Sequence, residues 1–123
     1  MADNHHTNQK AQIVKETYRS LVLVKSITMA DGNRDSNWDW RLKNVGKHGA
    51  MTVYTFLDGK HSGKSVVKIS GEAFLQTSPG EFKRQGDIIT LTTQQTIYVF
   101  ELTGMLPAFL AGCDTMTKIK EEF

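Results

Sequence analysis

The sequence predicts a mainly β, α+β domain. It would be a single antiparallel β-barrel or sandwich of about seven short strands, capped by a C-terminal amphipathic helix. Three observations carry that prediction. Residues 87–102, DIITLTTQQTIYVFEL, read as a β-hairpin. Shorter runs of alternating apolar and polar residues, bounded by Gly, Pro and Ser, come before it. The hydrophobic period then changes to that of a helix over 106–120.

The 123 residues suffice for one ordinary core and are too few for two comfortable domains, so a single unit over 10–123 is expected. A hydrophobic share of 39% with 23% charged residues is that of a folded domain, not of a disordered chain. A net charge of +2 excludes a histone-like or polybasic binder. Cys113 is the single cysteine and can form no internal disulfide, which points to a reducing compartment. The N-terminus lacks the basic, apolar and small-residue pattern of a signal peptide. No apolar run approaches the roughly 18–20 residues that span a bilayer. A cytoplasmic protein without a membrane partner is the expectation.

Residues 1–9 (MADNHHTNQ) are polar and predict a disordered tail, in which His5 and His6 are solvated. Over 10–19, Ile13, Val14 and Tyr18 make an imperfect apolar stripe, read as a short N-terminal helix or as an extension of the first strand. The first well-marked strand is 20–28, where Leu21, Leu23, Lys25 and Ile27 alternate with Val22, Val24, Ser26 and Thr28. A long polar segment follows, with a short strand expected at 39–43. Further strands are expected at 50–57, 65–69 and 72–76, separated by turns at 58–63 and 70–71. Thr77, Ser78, Pro79 and Gly80 form a loop before the hairpin.

The hairpin is rich in β-branched and aromatic residues. Ile89 and Leu91 share one face of its first arm. In the second arm Ile97 and Val99 share one face, and Tyr98, Phe100 and Leu102 the other, which predicts a central strand covered on both sides. Glu101 belongs near the sheet rim. Gly86 and Asp87 make a turn into the first arm. The reversal at 93–96 lacks the Gly that two-residue loops prefer, so a four-residue or bulged connection is expected. In the last segment Leu106, Phe109, Leu110, Cys113 and Met116 follow helical spacing, with Pro107 suited to the first turn and Lys118 and Lys120 to the last. Gly112 weakens that helix by about 1 kcal/mol relative to Ala.

Chemical motifs are sparse. The segment 58–65, DGKHSGKS, is one residue short of a phosphate loop and leads into a strand, so it reads as a basic turn. Asp31, Asn33 and Asp35 give the D-x-N-x-D opening of a calcium loop. Ser36 stands where Gly is required and Leu42 where a bidentate Glu is required, so an Asx-rich turn is read there and no metal site. Cys113 falls on the apolar stripe and reads as a buried hydrophobe. Carboxylates are scattered singly, and no nucleophile sits in a catalytic grouping. No enzyme activity and no cofactor are expected, and no motif marks a family.

The informative feature is charge asymmetry. Within 40–70, Arg41, Lys43, Lys47, Lys60, Lys64 and Lys68 face only Asp58, a local charge of +5, so the remainder is at −3. Trp38 and Trp40 stand just ahead, on one face if the backbone is extended. Aromatic and cationic side chains together suit a protein interface. The reading is a small non-enzymatic interaction module that binds a protein partner. Its surface would comprise Trp38, Trp40, Arg41, Lys43, Lys47, Lys60, His61 and Lys64. The alternative is a β-barrel for single-stranded nucleic acid, whose bases stack on such rings. A second alternative is a homo-oligomeric structural component joined through a strand edge or the terminal helix.

Overall fold

The computed structural model describes residues 12–29 and 39–106. Seven strands form one antiparallel sheet: β1 (Ile13–Met29), β2 (His48–Phe56), β3 (Ser65–Gly71), β4 (Leu75–Gln76), β5 (Glu81–Gln85), β6 (Ile88–Thr92) and β7 (Thr96–Leu102). Their order across the sheet is β4-β3-β2-β1-β7-β6-β5. A single helical turn, α1 (Asp39–Leu42), lies between β1 and β2 in sequence. The expected antiparallel β-rich architecture of about seven strands is present, but as one sheet that is neither a closed barrel nor a two-sheet sandwich. The tail 1–9, the calcium-like Asp31, Asn33 and Asp35, and the helix expected at 106–120 lie outside the described residues, apart from Leu106, which is in no helix.

β1 is the longest element and serves both halves of the sheet. Its first part pairs with β2, from Ile13↔Phe56 to Leu23↔His48. Its second part pairs with β7, from Val22↔Leu102 to Met29↔Thr96. Of the two readings open for 10–19, the extension of the first strand holds from Ile13 onward. Ile, Val, Thr and Tyr fit a pleated surface, and the ladder with β2 outweighs an imperfect helical stripe. In the ladder with β7, Val24 pairs with Phe100 and Ser26 with Val99, so Lys25 is an extra residue. This bulge shifts the alternation. It lets Val22 and Val24 before it and Ile27 after it all face the core, where each is at most 1% exposed.

Elsewhere the core follows strict alternation: Met51 and Val53, Val67 and Ile69, Ile89 and Leu91, Tyr98 and Phe100. Burying a residue such as Phe100 contributes about 1.5–3 kcal/mol. The hairpin of β6 and β7 forms as expected, with Ile89↔Phe100 and Leu91↔Tyr98 in register, and β7 is central, between β1 and β6. Its Tyr98 and Phe100 face is buried, but its Ile97 and Val99 face is only half-buried, not covered as expected. Gly86 has φ +60 while Asp87 does not take positive φ, the pattern of a type II′ turn between Gln85 and Ile88.

Three further expectations change. Residues 39–43 are not a strand; α1 runs into consecutive turns, with Asn44 N bonding Arg41 O and Val45 N bonding Leu42 O. The turns press Leu42 against the core and end at Gly46, whose φ of +88 suits only glycine. The strand expected at 72–76 shrinks to β4. Ala73 N bonds His48 O, and Phe74 N bonds Asn44 Oδ1, so both amides are taken before pairing with β3 begins. Finally, β5 has no counterpart in the sequence reading. Its residues EFKRQ carry one apolar side chain, as suits an edge strand.

The chain between β4 and β5 ties the two sheet edges together. Thr77 exchanges backbone and side-chain bonds with Val67 of β3. Gly80 exchanges two backbone bonds with Ser65, both 2.8 Å, and the next residue, Glu81, pairs with Thr92 of β6. A Cβ at Gly80 would overlap the Thr92 carbonyl group. Gly80→Ala should therefore cost about 1–3 kcal/mol, as overpacking does. Urea unfolding should show a lower midpoint at unchanged slope. A wild-type midpoint would show that this crossing is not tightly packed.

Candidate functional site

The tie through Gly80 brings three polar connections together: the turn at 57–64, the loop at 77–80 and the reversal at 93–96. Two open clefts lie among them. One, of about 450 Å³, is walled by His61, Lys64, Pro79, Gly80, Glu81, Thr92, Thr93 and Gln94. The other, of about 340 Å³, is walled by Arg41, His61, Ser78, Pro79, Thr93, Gln94, Gln95, Thr96 and Tyr98. They share His61, Pro79, Thr93 and Gln94.

Each side chain is held by its element. α1 delivers Arg41, whose Nη1 donates to Thr96 Oγ1 at 3.4 Å. His61 leans on Phe56, with ring centroids 5.6 Å apart. Gly59 and Gly63, both at φ +83, allow the turn that presents it. Thr93 Oγ1 accepts from Thr96 N at 3.0 Å and from Gln95 N at 3.3 Å, which shapes the reversal without a glycine. This is the four-residue connection expected there.

Tyr98 forms the floor of the smaller cleft. It is 4% exposed and stacks on Phe100, with centroids 6.2 Å apart. Burial raises its phenol above the usual 10.0, while Arg41 and the hydrogen bond with Thr96 draw it partly back. The polar floor thus stays neutral beneath a cationic rim.

The predicted site residues separate. Arg41 and His61 share the smaller cleft, and His61 and Lys64 the larger. Lys60 is exposed in the same turn but lies in neither wall; nor do Lys43, which is exposed, or Lys47, which is half-buried. Trp38 lies outside the described residues, and Trp40 precedes Arg41 in α1. The face shared by the Trp38 and Trp40 side chains in the sequence reading lies outside the described residues. The sequence reading missed Ser78, Thr93, Gln94, Gln95, Thr96 and Tyr98. The polar TTQQT reversal between two apolar arms was the available signal, but nothing local placed it beside His61.

Chemically, the clefts offer a guanidinium, an imidazole, an ammonium and several hydroxyl and amide groups, with Glu81 as the acid in the larger wall. Among the described residues, no three His, Cys, Asp or Glu side chains gather as metal ligands. No helix among them is long and apolar enough to cross a membrane. Comparison with protein-family models, with curated proteins and with solved structures returned no match. The function is therefore argued from the site.

The electrostatic pull of Arg41 on the Tyr98 phenol has a measurable consequence. A native phenol pKa above that of the unfolded chain means its stabilising contribution is complete below pH about 10 and is lost as pH rises through the native value. Tyrosinate absorbance of the native chain, less that of Tyr98→Phe, should show Tyr98 ionising above 10.0. Arg41→Ala should raise that midpoint further, because it removes a favourable cation. An unmoved midpoint would separate Arg41 from the floor.

Proposed function

We propose that this chain is a small non-enzymatic interaction module that binds an acidic segment of a protein partner in the clefts around His61. The observation that carries the reading is the meeting of Arg41 and His61, from two separate connections, in one cleft wall. Arg41 presents a planar fork suited to a carboxylate, and Lys64 adds a point charge at the adjoining cleft. Threonine hydroxyls and glutamine amides can bond the partner's backbone. The clefts are open and shallow, so they suit side chains of a docked segment. The proposed domain includes an amphipathic helix over 107–120 as a cap on the sheet, one residue shorter than the sequence reading because Leu106 is in no helix. Single-stranded nucleic acid is the second reading, favoured by the same cations; the buried Tyr98 offers it no stacking face.

Fluorescence anisotropy with a labelled Asp/Glu-rich peptide and a mixed-sequence single-stranded oligonucleotide tests the proposal. The peptide should bind, and Arg41→Ala and Lys64→Ala should each weaken it about fivefold or more, the loss of a charged contact being about 1–3 kcal/mol. Oligonucleotide binding that falls steeply with salt would transfer the site to the second reading. Peptide binding unchanged in both variants would remove the clefts as the site.

A further inference from the structure

The N-terminal part of β1 has one free edge. Its β2 side is paired over residues 13–17, and Leu57 N bonds Gln12 O at 2.8 Å. That bond fixes the alternation: Gln12, Val14 and Glu16 turn their backbone groups toward β2, and Ile13, Lys15 and Thr17 turn theirs away. β7 pairs with β1 only from Val22 onward, and no described strand pairs with the outward side of residues 13–19. Ile13 and Val14 are 47% and 49% exposed, and Leu57, beside Gln12, is 54% exposed. In the same stretch Thr17 Oγ1 is buried without a hydrogen-bond partner. An open edge with apolar side chains is a liability that proteins cover.

The chain leaving β7 heads for this edge. Thr103 N and Oγ1 both donate to Leu21 O, Gly104 N donates to Ser20 Oγ, and Leu21 N donates to Met105 O at 2.6 Å. Since β7 runs antiparallel to β1, residues 103–105 continue toward the N-terminal end of β1. Met105 and Leu106 are about half exposed at the point where the description ends. From Leu21 back to Ile13 the strand matches the advance of β2 from Ala50 to Phe56, six residues because the register shifts between Thr17 and Leu21, and so covers about 20 Å. A helix over 107–120 would be about 21 Å long. Its stripe of Phe109, Leu110, Cys113 and Met116 follows directly from that point.

We infer that residues 107–120 lie along the free edge of β1, with the stripe of Phe109, Leu110, Cys113 and Met116 covering the exposed apolar groups of residues 13–17. The inference takes the C-terminal helix from the proposed domain and is independent of the clefts. A second copy is the rival occupant. Two-fold antiparallel pairing of this edge with itself, centred on Lys15, Glu16 or Thr17, sets Lys15 on Lys15, Glu16 on Glu16, or Lys15 on Arg19. Like charges directly opposite are unfavourable.

The test places a nitroxide at position 115, away from the stripe, using Thr115→Cys with Cys113→Ser in the full chain. Amide signals of residues 13–17 should be broadened in dilute protein, and to the same degree on further dilution. Those of β4 should be unaffected. In the unlabelled chain, Leu110→Asp should speed hydrogen exchange at Ile13, Lys15 and Thr17 at least tenfold while Phe100 is unchanged. Absent broadening at 13–17 would overturn the inference. So would broadening that fades on dilution, or that passes between labelled and unlabelled copies; these would assign the edge to a second copy. Unchanged exchange in Leu110→Asp would also count against it. Peptide binding in the clefts is read separately, so failure of either proposal leaves the other standing.

Discussion

The bulge at Lys25 is the constraint on which the rest of the sheet depends. One strand must pair with β2 along its first part and with β7 along its second, and still offer its apolar side chains to one core. Regular alternation from Val22 would turn Ile27 outward. The extra residue corrects this, because one inserted residue exchanges the faces of everything after it. Lys25 itself points to water, 3.4 Å from Glu101, an exposed ion pair that adds little stability. What this position requires is geometric: a polar residue with room to leave the ladder.

A second constraint closes the space between the sheet edges. β3 and β6 do not pair with one another. The segment from β4 to β5 pairs first with β3 and then with β6, and changes partner at Gly80. Glycine is required there because another backbone occupies the place of a side chain. The crossing also decides where the polar connections fall. It sets the 57–64 turn beside the 93–96 reversal, and α1 supplies Arg41 from a third direction. The candidate site is therefore a by-product of edge management: loops that need polar residues for their turns come together where the edges meet.

Much of the sheet was legible because its signal is local. Alternation over 87–102 identified both arms of the hairpin and the buried face of the first, and Gly86 with Asp87 identified the turn before them. The single apolar residue of β5 left no such trace, since an edge strand has little to bury. Residues 13–19 stayed undecided for a different reason. Their exposed apolar side chains follow no clean period, and only the ladder with β2 makes them strand. Of the site, the cationic and turn residues Arg41, His61 and Lys64 were marked by composition. Thr93, Thr96 and Tyr98 read as hairpin residues and nothing more.

By itself, the sequence determined the strands whose side chains alternate, the faces they bury and the turns whose glycines take positive φ. These depend on backbone sterics and on hydrophobicity within a few residues. Tertiary structure alone decided that β1 is continuous, that 39–42 turns instead of extending, and that Arg41 and His61 share a wall. Each of those outcomes depends on which distant group supplies the hydrogen bonds: the β2 backbone for residues 13–17, the Thr96 hydroxyl for Arg41, and the Ser65 backbone for Gly80. A pattern read along the chain carries no term for a partner that lies tens of residues away.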